Sequence, residues 1–190
     1  DAGAVAAKLR EYADSLLATG KPLQAVELYR KANRHTEAAR LLIKMANEAG
    51  AKRSAPLRAK KLFVFAAIEV MRTRELLLEK GGGGGGAGGA AQTLASLVDQ
   101  DAATGTDRTL DNAWRGAEAY HFLMLAQRQL HAGAHFASMR TAIRLREYEG
   151  ILAADEVNAL IALAAFYAKH YGQASKAFVK LLSLRMPDAK

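Results

Sequence analysis

The chain has no cysteine, three prolines and only 7% aromatic residues among its 190 positions. Without cysteine there is no disulfide framework and no thiolate zinc site in this stretch. Its longest apolar run of helical character, residues 159–168, is about half of the roughly 20 residues that span a bilayer, so neither a membrane helix nor a signal peptide is expected. Alternating polar and apolar residues are scarce, which argues against strands. What remains is alanine and leucine. They supply most of the 51% hydrophobic content, and both favour helices whose axes approach closely. The 27 Lys and Arg against 19 Asp and Glu leave a net charge of +8, which permits an acidic partner. The chain opens at Asp1 with no initiator methionine, so it is expected to be part of a longer polypeptide.

Apolar residues at three- and four-residue steps predict helices over residues 4–19, 22–32, 37–48 and 56–80. Gly20 ends the first, Pro22 suits the first turn of the second, and Thr36 is placed to cap the third. Residues 81–89 hold eight glycines interrupted only by Ala87, a composition that cannot bury a core. With the aspartates Asp99, Asp101, Asp107 and Asp111, it predicts a flexible insertion over 81–111, dividing the chain into helical hairpins at 1–80 and 112–190. Asp111 or Asn112 is placed to cap a helix ending near His131. Gly133 then turns the chain, and helices follow over 134–146, 155–170 and 173–186.

Helical hairpins of the tetratricopeptide (TPR) type need small residues where the two helices cross and a glycine-like turn between them. Gly20 as the turn sets Ala13 against Ala25, Tyr29 and Ala32. Gly133 gives Ala126, Ser138 and Ala142, and Gly172 gives Ala165, Ala177 and Leu181. The spacing of 39 between the last two glycines suits degenerate helical repeats. The fold expected is an all-α, TPR-like helical-hairpin solenoid, although periodicity alone leaves a compact bundle open.

No motif for chemistry emerges. The glycine run lacks the Lys-Ser/Thr ending and preceding strand of a phosphate cradle. His121, His131 and His135 lack a completing carboxylate, and Gly133 breaks the helix between the last two, so they read as turn or surface residues. His35 and His170 lie at predicted helix ends, where a partial positive charge suits backbone carbonyls. The four aspartates read as a solvated acidic linker, not paired carboxylates for hydrolysis. Trp114, Tyr120 and Phe122 fit packing between helices ahead of an exposed anchor. The chain is therefore expected to be no enzyme and to need no cofactor. Lys52, Arg53, Arg58, Lys60 and Lys61 form the densest basic cluster and the candidate partner-binding residues. A solvated face is the first reading, an acidic protein the second, a membrane surface the third and nucleic acid the last.

The runs DNAWRGAEAYHFLMLAQRQL (111–130), MRTAIRLREYEGI (139–151) and SKAFVKLLSL (175–184), with KANRHTEAARLL (31–42) and PLRAKKLFVFAAIEV (56–70), carry a resemblance. They are similar to the C-terminal half of the WD-repeat/TPR subunits of intraflagellar transport complex A, over nearly all of the chain apart from the glycine insertion and its acidic continuation. The resemblance implies a non-enzymatic scaffold of that complex, acting in retrograde ciliary transport and ciliary import of membrane proteins. It also implies a second WD-repeat/TPR subunit and a small disordered subunit as partners. The implied location is the cilium or flagellum, from the ciliary base along the axoneme, and the cytoplasm. The alternative is a coatomer-like vesicle-coat or membrane-adaptor solenoid, which shares the propeller-plus-superhelix plan.

Overall fold

The computed structural model describes residues 2–81 and 106–185. The described residues are helical with no strand. In chain order they form α1 (Ala2–Ala18), α2 (Pro22–Lys31), α3 (His35–Ala51), α4 (Pro56–Gly81), α5 (Thr106–His131), α6 (His135–Arg144), a 3-10 turn (Leu145–Tyr148), α7 (Ala154–Tyr167) and α8 (Tyr171–Arg185). Of the 33 buried apolar residues among those described, 18 are alanine. Helix contacts are therefore made largely by Cβ methyls, which let the axes come close.

Four of the connections are one and the same turn. Gly20 and Gly133 have φ of 72° and 78°, and Asn33 and Lys169 adopt the same left-handed backbone at 55° and 61°. In each case the N–H of that residue bonds the carbonyl three back, and the next N–H bonds the carbonyl five before it. Examples are Gly20 to Leu17 with Lys21 to Leu16, and Lys169 to Phe166 with His170 to Ala165. These are Schellman C-caps, which satisfy the last helical carbonyls. In all four the next helix begins two residues later, at Pro22, His35, His135 and Tyr171.

The shared turn fixes which residues cross. Seven before and five after each turn residue stand Ala13 and Ala25, Val26 and Ala38, Ala126 and Ser138, and Ala162 and Ala174, all buried. Ser138 shows how close the approach is, because its hydroxyl donates to the Ala126 carbonyl at 2.8 Å. The third hairpin therefore turns on Lys169, 36 positions after Gly133, and not on Gly172, which lies inside α8.

Other boundaries also differ from the sequence reading. Helix α5 starts at Thr106, so Asp107, Asp111 and Asn112 belong to it, and neither Asp111 nor Asn112 is its cap. The glycine run beyond Gly81, with Asp99 and Asp101, lies outside the described residues. Thr36 is not a cap, since α3 begins at His35 and the Thr36 hydroxyl bonds the Glu37 carboxylate at 3.1 Å.

The chain divides into two compact units, residues 1–46 with 61–114 and residues 47–60 with 115–190. In the first, Ala38, Ala39, Phe63, Ala66, Ala67 and Val70 are buried. In the second, Leu123, Leu145, Val157 and Ile161 form the deepest apolar layer, and Met139, Ala164, Ala165 and Ala174 make a cluster covered by Leu130, Ile143 and Ala168. Asn158 is fully buried there, donating to the Ala154 carbonyl at 2.6 Å. Gly50 in this unit faces Tyr120 so closely that a Cβ would overlap the phenol.

Candidate protein-interaction surfaces

The basic cluster is divided by its own chemistry. Arg53, at a left-handed φ of 52°, presents both guanidinium nitrogens to the Asp155 carboxylate, each at 2.8 Å. That bidentate contact holds the Asp155 carboxyl below the usual carboxylate range, through the hydrogen bond from Arg53 first. Next to it, burial pushes the Glu156 carboxyl up. Lys60 Nζ lies 3.1 Å from His121 Nδ1. Lys52 and Arg58 are exposed and make no ion pair or hydrogen bond among the described residues. Lys61 is likewise exposed but falls in the other unit. Of the five residues, two are engaged within the second unit.

In the first unit a buried carboxylate gathers two guanidinium groups and an imidazole. Glu69 on α4 is 4% exposed. Arg30 Nε of α2 reaches it at 2.9 Å, His35 Nδ1 of α3 at 2.7 Å and Arg72 Nη1 of α4 at 3.2 Å. A carboxylate taken out of water is tolerated only when so compensated. His35 is itself 8% exposed, and it opens α3. A helix start presents amide N–H groups and not free carbonyls, so the expectation that His35 suits helix carbonyls is corrected: Glu69 is its partner. A groove of about 300 Å³ is lined by Leu23, Val26, Leu42, Phe65 and Ile68 together with Glu27, Arg30, Glu69 and Arg72.

In the second unit, six rings form a chain of four and a separate pair. His135 stacks on Tyr167 at 5.1 Å, Tyr167 meets Phe166 at 5.9 Å, Phe166 meets Tyr171 at 6.0 Å and Phe136 meets His170 at 5.4 Å between centroids. Phe136, Phe166, Tyr167 and Tyr171 are each more than half exposed. His131 ends α5 and His135 begins α6, so the Gly133 turn separates them. Of the aromatics singled out in the sequence, Tyr120 is buried, Phe122 is half-buried beneath the Arg144 guanidinium at 4.5 Å, and Trp114 is exposed.

Gln129, Ala137, Arg140, Thr141, Ile143 and Arg144 line a cleft of about 490 Å³. No Asp or Glu occurs at positions 119–146 or 157–187, while Arg128, Arg140, Arg144, Arg146, Lys169, Lys176, Lys180 and Arg185 do. Lys180 is satisfied by Glu149 at 2.6 Å, which lowers the Glu149 carboxyl pKa. Arg140 has no partner among the described residues. The exposed rings and the cleft were missed in the sequence because their members come from four helices, α5 to α8. The acid-free stretches were a signal open to reading.

Nothing in these surfaces pairs a nucleophile with a base, and among the described residues no three His, Asp or Glu side chains converge on a metal position. No described helix is long and apolar enough to cross a membrane. The arrangement offers apolar grooves, exposed rings and unpaired cations, which suit binding.

Comparison with known proteins agrees with the hairpin fold. Residues 4–72 match the family described as WD repeat-containing protein 35, TPR repeats, and residues 111–190 match the family described as IFT121-like, TPR repeats. The protein named WD repeat-containing protein 35 from Homo sapiens is 44% identical over 178 residues, covering 93% of this chain and 15% of that protein. Its namesakes from Rattus norvegicus and Mus musculus are each 43% identical over 184 residues, covering 96% of the chain and 16% of theirs. The chain thus spans about a sixth of the length of these relatives. Across both stretches, and through identity over most of its length, the chain belongs to the TPR-repeat region of the WD repeat-containing protein 35 family.

Proposed function

We propose that this chain is a non-enzymatic scaffold segment of a subunit of intraflagellar transport complex A. The observation that carries the reading is 43–44% identity to WD repeat-containing protein 35 over more than nine tenths of the chain, on a fold whose exposed features are helix faces. The mechanism is assembly. Hairpins locked by Schellman turns hold helix faces in fixed register, and rigid, prepaid surfaces lose little entropy on docking. The partners in this reading are a second WD-repeat/TPR subunit and a small disordered subunit. The process is retrograde transport with ciliary import of membrane proteins, at the ciliary base, along the axoneme and in the cytoplasm.

A coatomer-like membrane adaptor is the second reading, favoured by Lys52, Arg58 and Lys61, which remain exposed and unpaired among the described residues. Affinity purification of the full-length parent protein from ciliated cells, with mass spectrometry and imaging, separates the two. Co-purifying complex A subunits and a ciliary location support the scaffold. Coatomer components and Golgi membranes in their place would replace it with the adaptor.

A further inference from the structure

Along α6, Phe136, Arg140 and Arg144 recur at four-residue steps and form one exposed stripe, while Ser138, Met139 and Ala142 face the core. Four residues of helix rise about 6 Å, so the two guanidinium groups are neighbours of like charge one turn apart. Such a pair repels in isolation; no carboxylate occurs between Ala119 and Arg146, and Glu147, one turn beyond Arg144, leaves Arg140 without a carboxylate one turn away on its own helix. Arg144 is braced by its stacking on Phe122 at 4.5 Å. On α5, Gln129 lines the cleft, its Oε1 2.8 Å from the Thr141 hydroxyl, which is shared with the Ala137 carbonyl at 3.0 Å. Phe136 meets His170.

We propose that this stripe docks an acidic segment of a partner protein, with two carboxylates one helical turn apart on Arg140 and Arg144 and an apolar side chain on Phe136. The docking presupposes the protein-binding role proposed above. Guanidinium groups suit carboxylates because their planar forks donate two parallel hydrogen bonds. Exposed rings add contact area at low entropic cost. The basic loop is the poorer seat, since its Arg53 is already held by Asp155.

The test uses the full-length protein carrying this region and a fluorescein-labelled helical peptide with glutamates at i and i+4 and a phenylalanine one turn further. Its twin carries glutamines in place of the glutamates. The glutamate probe is expected to bind at least about tenfold tighter than its twin. Combining Arg140→Glu with Arg144→Glu should abolish that difference, Arg140→Lys should keep only part of it because the charge stays and the fork is lost, and Phe136→Ala should weaken both probes by a few-fold. Circular dichroism should be unchanged in every variant, because these side chains lie on the surface. Equal binding of the two probes, or glutamate-probe binding indifferent to Arg140→Glu, overturns the proposal. So does Arg140-dependent binding of phosphatidylserine vesicles without binding of the peptide. If the unmodified protein still joins complex A while the probes show no charge preference, only the docking surface falls. If the unmodified protein brings down no complex A subunit, the scaffold reading itself fails.

Discussion

The two units use the same hairpin turn and differ in what sits beneath it. Under the turns at Gly20 and Asn33, the first unit buries a carboxylate. Glu69 ties α2, α3 and α4 through Arg30, His35 and Arg72. Under the turns at Gly133 and Lys169, the second unit buries alanines, leucines and isoleucine, with the Ser138 hydroxyl and the Asn158 amide N–H donating locally to backbone carbonyls. Close packing of small side chains depends on volume alone. An ionic hub depends on every member, since losing one strands the others in low dielectric. The first unit should therefore be sensitive to single charge changes and the second to single methylenes.

Removing the hub is expected to have the largest effect. Glu69→Ala should lower the free energy of opening of α2 and α3 by about 2–4 kcal/mol, less than for a wholly buried cluster because Arg30 and Arg72 reach water. Hydrogen exchange should record the loss in those helices while α7 and α8 keep their protection. A loss below about 1 kcal/mol would reduce the hub to a surface ion pair.

Ala162→Leu tests the other side of the comparison. The residue is fully buried at the crossing of α7 and α8, and overpacking there should cost about 1–3 kcal/mol in denaturant unfolding. The effect should be confined to the second unit.

Lys169 sharpens the equivalence of the turns. Its left-handed φ strains a residue with a Cβ, so Lys169→Gly should stabilise the α7–α8 hairpin by about 0.5–1 kcal/mol, the lost strain exceeding the added chain entropy. Gly133→Ala should show the reverse sign at similar size. No atom lies within 4 Å of a Cβ built there, so the cost is conformational.

The smallest effects concern neighbouring acids of opposite behaviour. Arg53 depresses the Asp155 pKa, so that pair's stabilisation is complete above the unfolded value near about 3.9 and is lost as pH falls through the folded one. Burial raises the Glu156 pKa, so this residue costs stability as pH rises through the window between its unfolded and folded values. At pH about 7, Asp155→Asn should lower the melting temperature and Glu156→Gln should raise it. Both shifts should vanish in acid.

Much of the fold was legible because its punctuation is chemical. Gly20, Pro22, Gly133 and the alanine stripes gave seven of the eight helix starts to within about three residues. The failures have physical reasons. Lys169 carries no turn signal, so the nearby Gly172 drew the third hairpin out of register. Helix α5 begins six residues earlier than read because aspartates near its start were taken as linker, although acids there suit a helix dipole. The 3-10 turn Leu145–Tyr148 was merged into its neighbour. The surfaces were less legible. Glu69 lies 34 positions from His35, and Arg53 lies 102 from Asp155, and no local pattern pairs residues across such separations. The cluster from Lys52 to Lys61 was visible as sequence density, but density cannot tell which cations are already neutralised.

Cross-linking mass spectrometry of the native complex purified through the full-length parent protein tests the central claim most directly. Lys169 and Lys176 are exposed on the acid-free face of the last hairpin. The account predicts cross-links from them to other subunits of intraflagellar transport complex A. Cross-links that stay within the chain, or that lead to coatomer subunits, would contradict it.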